Sequence, residues 1–504
     1  MTTIQRKASI GQTNPIAHLS GEDIELMAKE LDAIRASVIE TRGERDARYI
    51  RRVIKTQRSI ELGSRVVLLA SLFPPAWLVG TVGLSVSKIL ENMEIGHNVL
   101  HGQWDWMNDP VINSTAWDWD TASTAQAWKH SHNYVHHTYT NILGKDKDLG
   151  YEIMRIDPHQ KWHPVYLFQP LYNLLLMAFF EWGVAFHDLD LEAMRAGDKS
   201  PKDVLKEVVG ISGKMRDQAV KDYIAWPLIS GLVNLGLDFA VAAAGGDLDS
   251  LRPGTPSRRE RLRRRAKVAT ASAKRRAKRN SKVQDIVEEL IAYRSFREPF
   301  KRTLWANFTA NIIRNVWAHG IIFCGHFPDQ TYVFTQEETE DESRGATYVR
   351  QLVGAANIEG GPFFHVMSGN LGYQVEHHLF PDMPSTRYGE IAPKVREICK
   401  RYELPYNTGP LVQQWSMVMR TITRLAFPGG KPRKKPGPYT GDVVIGRGES
   451  RESAERDTTP SAQSNGSDDK QENKDATRES DTASTASANG GGSSGSEGSG
   501  TSDE

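Results

Sequence analysis

Cysteine is almost absent: Cys324 and Cys399 are the two in 504 residues. A disulfide framework and a cysteine-rich zinc module are thereby excluded, and any metal is left to imidazole. Net charge is nearly absent too, +1 from 63 Lys+Arg against 62 Asp+Glu. That balance conceals one exception: residues 258–282 hold thirteen Lys/Arg against the single Glu260. The pattern argues for a basic surface element, not a basic protein, and no nucleic-acid partner is expected. The N-terminus carries no apolar run of the kind a secretory signal needs. Long apolar runs are few, and polar segments at both ends dilute the mean hydropathy further.

Composition divides the chain into five regions. Residues 1–63 are polar, with apolar positions at helical spacing from Ile24 to Ile39, and are expected to form one or two amphipathic surface helices. Residues 64–251 and 301–427 are the two parts of a core. Residues 252–300 are a basic, flexible insert, and 428–504, with few apolar side chains, a disordered tail.

A bilayer crossing takes ~20 apolar residues. Residues 64–90 read as a tight apolar hairpin turning at Pro74-Pro75, and 222–245 and 303–325 as further spans. The aromatic block at 164–186, which contains Glu181, reads as a helix lying in the headgroup plane. The fold expected is all-α: a multi-pass membrane helical bundle of about four transmembrane helices with a helical cap, including a helix over 387–402. This threading puts the insert on the side opposite the histidines, although short basic loops prefer the cytoplasm. Either 222–245 does not span, or the insert overrides that bias.

Histidine is what the chain has in clusters. Eight of its fifteen histidines fall in four places. His97 and His101 stand four apart in HNVLH, and side chains four apart share one face of a helix. HNYVHH repeats the spacing with His132 and His136 and adds His137, turned ~100° round the helix, so that neighbouring rings can reach two metals. QVEHH supplies His377 and His378, preceded by Gln374, which either ligates weakly or is a buried amide. Within the last apolar block, Asn315 and His319 are again four apart; polar groups there are costly and point to function. His319 is expected to join the other rings, with Asn315 holding a metal-bound water. His326 reads as an outer hydrogen-bonding group or a substitute ligand, and His18, His130, His159, His163, His187 and His365 as surface or structural residues. Eight imidazoles exceed what one four-coordinate zinc takes. Imidazole suits Zn, Cu, Fe and Ni; two six-coordinate irons with an open position match the count best and bring oxygen chemistry.

HNVLH, HNYVHH and QVEHH, in that order, resemble the three histidine boxes of the membrane fatty acid desaturases. The flanking runs GHNVLHGQWDWMNDP, WKHSHNYVHHTYTN and GNLGYQVEHHLFPDMPS resemble the actinobacterial-type acyl-CoA members, over about residues 60–427 without the insert. The resemblance implies two non-haem iron ions on the cytosolic face of the cell membrane. Their ligands would be His97, His101, His132, His136, His137, His319, His377 and His378, with Asn315 acting through water and Gln374 standing where a leading histidine is common. It implies O2 as oxidant, membrane lipid as surroundings, and a long-chain acyl-CoA or acyl-lipid as substrate, in the manner of a stearoyl-CoA 9-desaturase. No haem-domain motif is fused to the chain, so electrons are expected from a separate ferredoxin or NAD(P)H oxidoreductase. A hydroxylase on the same scaffold, or a non-catalytic metal-binding paralogue, are the alternative readings.

Overall fold

Residues 18–197, 199–245, 293–328, 331–430 and 443–444 are described in the computed structural model. Most of the basic insert (252–292), and the tail beyond 430 apart from Val443 and Val444, lie outside them.

Where one or two helices were expected, the N-terminal region forms one and the start of a second that runs past residue 63. The first, Gly21–Glu40, opens on a capping box in which Ser20 Oγ accepts from Asp23 N and Asp23 Oδ2 accepts from Ser20 N. Its buried stripe of Ile24, Met27, Leu31, Ile34 and Val38 packs into the same core as Val349, Leu352, Ile391 and Val395. Arg35 Nη2 to Asp382 at 2.5 Å and Arg344 Nη2 to Asp32 at 2.6 Å tie its outer face to the same cap.

The second helix, Glu44–Leu68, runs on to become the first arm of the expected hairpin. The second arm, Pro74–Ile89, starts with both prolines in its first turn, where a missing N–H costs no bond. The arms approach closely at Gly80, where a Cβ would lie 2.7 Å from Leu68 Cγ. Two long helices, Pro201–Ala243 and Arg294–His326, complete the bundle. Buried polar ties join Pro201–Ala243 to the two hairpin arms, Lys88 Nζ to Asp222 Oδ2 at 2.6 Å and Arg65 Nη2 to Asp222 Oδ1 at 3.1 Å, and an Arg314–Glu181 pair joins Arg294–His326 to the aromatic block. The aromatic block at 164–186 forms two short helices, Gln169–Ala178 and Phe180–His187, with Leu171, Leu174, Leu175, Phe179 and Phe186 exposed.

The architecture is mostly helical, with one small exception. A three-stranded parallel sheet has the order β1 (Asn357–Glu359), β2 (Asn407–Pro410), β3 (Val443–Val444), in the register Asn357↔Thr408 and Asn407↔Val443. Segments of two to four residues carry no alternation that would announce a strand. The helix expected over 387–402 is Tyr388–Arg401. Among the described residues one helix, Pro201–Ala243, is long and apolar enough to cross a membrane by length and composition. The four spans expected from sequence are not matched on that criterion. Charged residues such as Glu61, Arg65, Lys88, Lys301, Arg302 and Arg314 interrupt the other long helices.

Candidate metal centre

The first two histidine clusters lie where helices are locally widened. The second hairpin arm passes without a break into a π-helical stretch, Leu90–His97, and then Asn98–Leu100. Ala125–Trp128 likewise passes into π-helical Lys129–His136 and then His137–Tyr139. A π turn bonds residues five apart and re-aims the side chains that follow it. The rings keep their pairing: His97–His101 centroids are 4.6 Å apart and His132–His136 5.1 Å. The short helix Gln374–Leu379 then splays His377 and His378 with planes at 84°.

These elements assemble two adjacent groups. Ring nitrogens of His97, His101, His132 and His377 lie within 4.8 Å of one another, and so do those of His136, His326 and His378. His137 stands between them, with centroid distances of 4.7 Å to His101, 4.9 Å to His377 and 4.6 Å to His378. Seven of the rings are buried and His132 is nearly so.

Their chemistry fits a cation. Nε2 of His101, His132 and His136, and both nitrogens of His137, are buried without a hydrogen-bond partner. His97 Nε2 faces His377 Nε2 at 3.4 Å, and His378 Nε2 faces His326 Nε2 at 3.3 Å. Each buried unpartnered polar atom costs about 1–3 kcal/mol; ligation offsets that cost for all of them together. Burial first, then the neighbouring rings, holds His97, His101, His137, His326, His377 and His378 well below the ordinary imidazole range. Burial thus favours the neutral form of these six rings, the form that binds metals.

The outward nitrogens are held. His136 Nδ1 bonds Asp146 Oδ1 at 2.9 Å and His132 Nδ1 bonds Asp148 Oδ2 at 3.2 Å. His378 Nδ1 lies 3.1 Å from Gln351 Oε1. His377 Nδ1 lies 3.2 Å from the Tyr388 hydroxyl, which donates to Phe380 O and so accepts from the ring. A donor bond on Nδ1 leaves Nε2 as the inward lone pair and fixes the ring plane. At His136, burial is outweighed by Asp146 and Asp148, and its basicity rises. Asp148 also groups with His132 and His136, but from the Nδ1 side, as an acceptor behind the rings.

Two expected site residues are not brought into either group. His319 stacks on Phe323 at 3.7 Å, and its Nε2 lies 3.1 Å from Asn173 Oδ1. His326, seven residues on, takes the place expected of it. Seven residues are two turns, the same helix face ~10 Å further along. His326 is the last residue of its helix and so emerges where the other clusters meet. Asn315 lies further back. Its Nδ2 donates to Ala178 O and its Oδ1 accepts from Arg314, although it does line a cavity that reaches His97 and His132. Gln374 is at the site: its Nε2 lies 3.0 Å from His326 Nε2 while its Oε1 is buried without a partner. A half-turn of that amide exchanges the two and presents an oxygen beside His326.

Asp146, Asp148, Gln351 and Tyr388 were not singled out from the sequence. The pair Asp146-x-Asp148, ten and twelve residues after His136, was the one available signal. The cavity running from the first group is walled by Met93, Trp119, Trp128, Phe180, Val184 and Ile322.

The fatty acid desaturase family model matches residues 72–213 and 241–410. An NADPH-dependent stearoyl-CoA 9-desaturase of Mycobacterium tuberculosis is 42% identical over 423 residues, 83% of this chain and 84% of that protein. An sn-1 linoleoyl-lipid 6-desaturase of Synechocystis is 24% identical over 358 residues, 68% of this chain and 79% of the relative. No solved structure matches. With three histidine clusters meeting in one buried centre and similarity running through most of the chain, the protein belongs to the fatty acid desaturase family.

Proposed function

We propose that the chain is an oxygen-dependent acyl-CoA desaturase acting on a long-chain acyl group, of the stearoyl-CoA 9-desaturase kind, with electrons from a separate NADPH-dependent donor. The observation that carries this reading is the buried set of imidazoles, in two adjacent groups, of which His97 and His132 line an aromatic-walled cavity. The mycobacterial relative's printed activity supports the substrate and the reductant.

His97, His101, His132 and His377 would hold one iron, and His136, His326 and His378, with Gln374, the other; His137 is placed to serve either. A pair of non-haem irons held there supplies the O2-dependent removal of two hydrogens from adjacent methylenes. The chain's own part is placement. Trp119, Trp128, Phe180 and Ile322 offer an apolar wall for methylenes and keep bulk water from the reacting carbons. Asp146, Gln351 and Tyr388 hold the rings so that the ligand set does not wander as its charge changes.

The multi-pass arrangement is part of the same reading. Leu62 and Val66, Leu78 and Val82, Leu232 and Leu237, and Trp305 and Phe308 expose large apolar side chains on four successive long helices. Such a belt is poorly suited to water. The four helices would cross the cell membrane, with Gln169–His187 in the headgroup plane and the metal centre on the cytosolic side. The polar bundle ties would then face protein rather than lipid.

The test is direct. The purified full chain is assayed for metal, then supplied with stearoyl-CoA, O2, NADPH and a reductase, and its products are read by mass spectrometry. A product lighter by two hydrogens with a mid-chain cis bond is expected, with two irons per chain. Oxygen gained without hydrogen lost makes the chain a hydroxylase; zinc alone and no O2 uptake make it a metal-binding protein.

A further inference from the structure

The cavity holds a carboxyl with no task in the scheme above. Asp188 follows the Phe180–His187 helix and lines the same cavity as His97 and His132. It is 6% exposed. Ser131 Oγ donates to its Oδ1 at 2.6 Å, and Ser123 Oγ donates to its Oδ2. Among the described residues no lysine or arginine pairs with it. Burial pushes its carboxyl up to about 6, against the two hydroxyl bonds and His187, which hold it down. An acid of that strength releases and regains a proton near neutral pH.

The reaction needs such a group. Each double bond follows –CH2–CH2– + O2 + 2 e− + 2 H+ → –CH=CH– + 2 H2O. Two electrons come from the separate protein donor, and two protons must enter a cavity walled by Trp119, Trp128 and Phe180. We propose that Asp188 holds and passes the protons that O2 reduction consumes in this cavity. The inference rests on the desaturase reading. In each transfer the carboxyl O–H breaks, the proton leaves in the water formed, and the carboxylate is reloaded through the half-exposed Ser131 hydroxyl. Other titratable groups surround Asp188. His187 Nε2 lies 3.2 Å from Asp148 Oδ1, and its Nδ1 lies 3.9 Å from Glu152 Oε2, whose side chain is 37% exposed. Asp148 and His132 share the cavity wall.

Wild type, Asp188→Asn, Asp188→Glu and Ser131→Ala are compared as full chains with donor, NADPH and stearoyl-CoA across neutral pH. Product, hydrogen peroxide released per NADPH, bound iron, and the infrared band of a protonated carboxyl are recorded. In Asp188→Asn the product rate falls about 100-fold, peroxide is released instead of water, iron stays bound, and the carboxyl band that titrates near pH 6 disappears. Asp188→Glu restores most of the coupling. Ser131→Ala removes both a bond that favours the carboxylate and the hydroxyl that reloads it, so the band and the alkaline limb of the rate move to higher pH while the maximal rate falls and peroxide is released. Wild-type rate and coupling in Asp188→Asn overturn the proposal, as does an unmoved limb in Ser131→Ala. Iron lost together with activity in Asp188→Asn, with the band of Ser131→Ala unshifted, overturns it as well. A wild type that makes no desaturated product sinks the functional reading instead, while the infrared titration still reports on Asp188.

Discussion

The two halves of the candidate metal centre are built differently. His97, His101, His132 and His377 come wholly from the three clusters that the sequence displays. The other group has His136 and His378 from those clusters but takes its third ring, His326, from the end of a long helix, and has Gln374 beside it. The first half has four rings, all from motifs legible in the sequence. The second is short of nitrogen and depends on where one helix stops. A centre of this kind is expected to lose its second metal first.

The sharpest way to break that comparison is to exchange the two histidines on one helix. His326→Ala is expected to abolish desaturation, lowering it more than 100-fold, and to halve the bound metal, whereas His319→Ala keeps both metals and loses only some stability. Metal analysis beside product yield decides it; the opposite ranking would return His319 to the centre. Next in size is the support behind the rings. Asp146→Asn, which weakens the bond holding His136, should cost 10–100-fold in affinity for the second metal, read by competition with a chelator. Gln351→Ala should show a smaller loss on the same assay through His378.

The bundle offers a control away from both groups. Lys88→Ala leaves Asp222 with one of its two close cations, and breaking a buried pair from one side costs about 3–5 kcal/mol. Thermal unfolding should shift down by that amount while the metal-to-protein ratio of the folded fraction holds. The smallest effect is expected at the far end of the cap, where Ser20→Ala removes a helix cap worth about 1 kcal/mol. Its melting temperature should drop slightly with activity intact; a loss of metal there would mean that the N-terminal helix positions the centre.

Much of the site was legible because ligand spacing is a local property. His97/His101 and His132/His136 share a face whether the turn is α or locally widened, since either brings residues one turn apart together. Helices carried by 3.6-residue periodicity, such as Gly21–Glu40 and Tyr388–Arg401, were legible for the same reason. The three short strands were not, since nothing in two to four residues distinguishes them from loop. Nor were Gln351 and Tyr388, which lie 27 and 11 residues from the rings they hold. No spacing rule connects an acceptor on one element to an imidazole on another.

The amino-acid order by itself determined which side chains could bind metal and that they come in pairs, because pairing follows from the pitch of a helix. Only the tertiary structure brings His326 rather than His319 beside the other rings, and sets which nitrogen of each ring faces inward. Those outcomes depend on how far the Arg294–His326 helix runs before its neighbours meet it, and on acceptors that reach the rings only after the chain has folded.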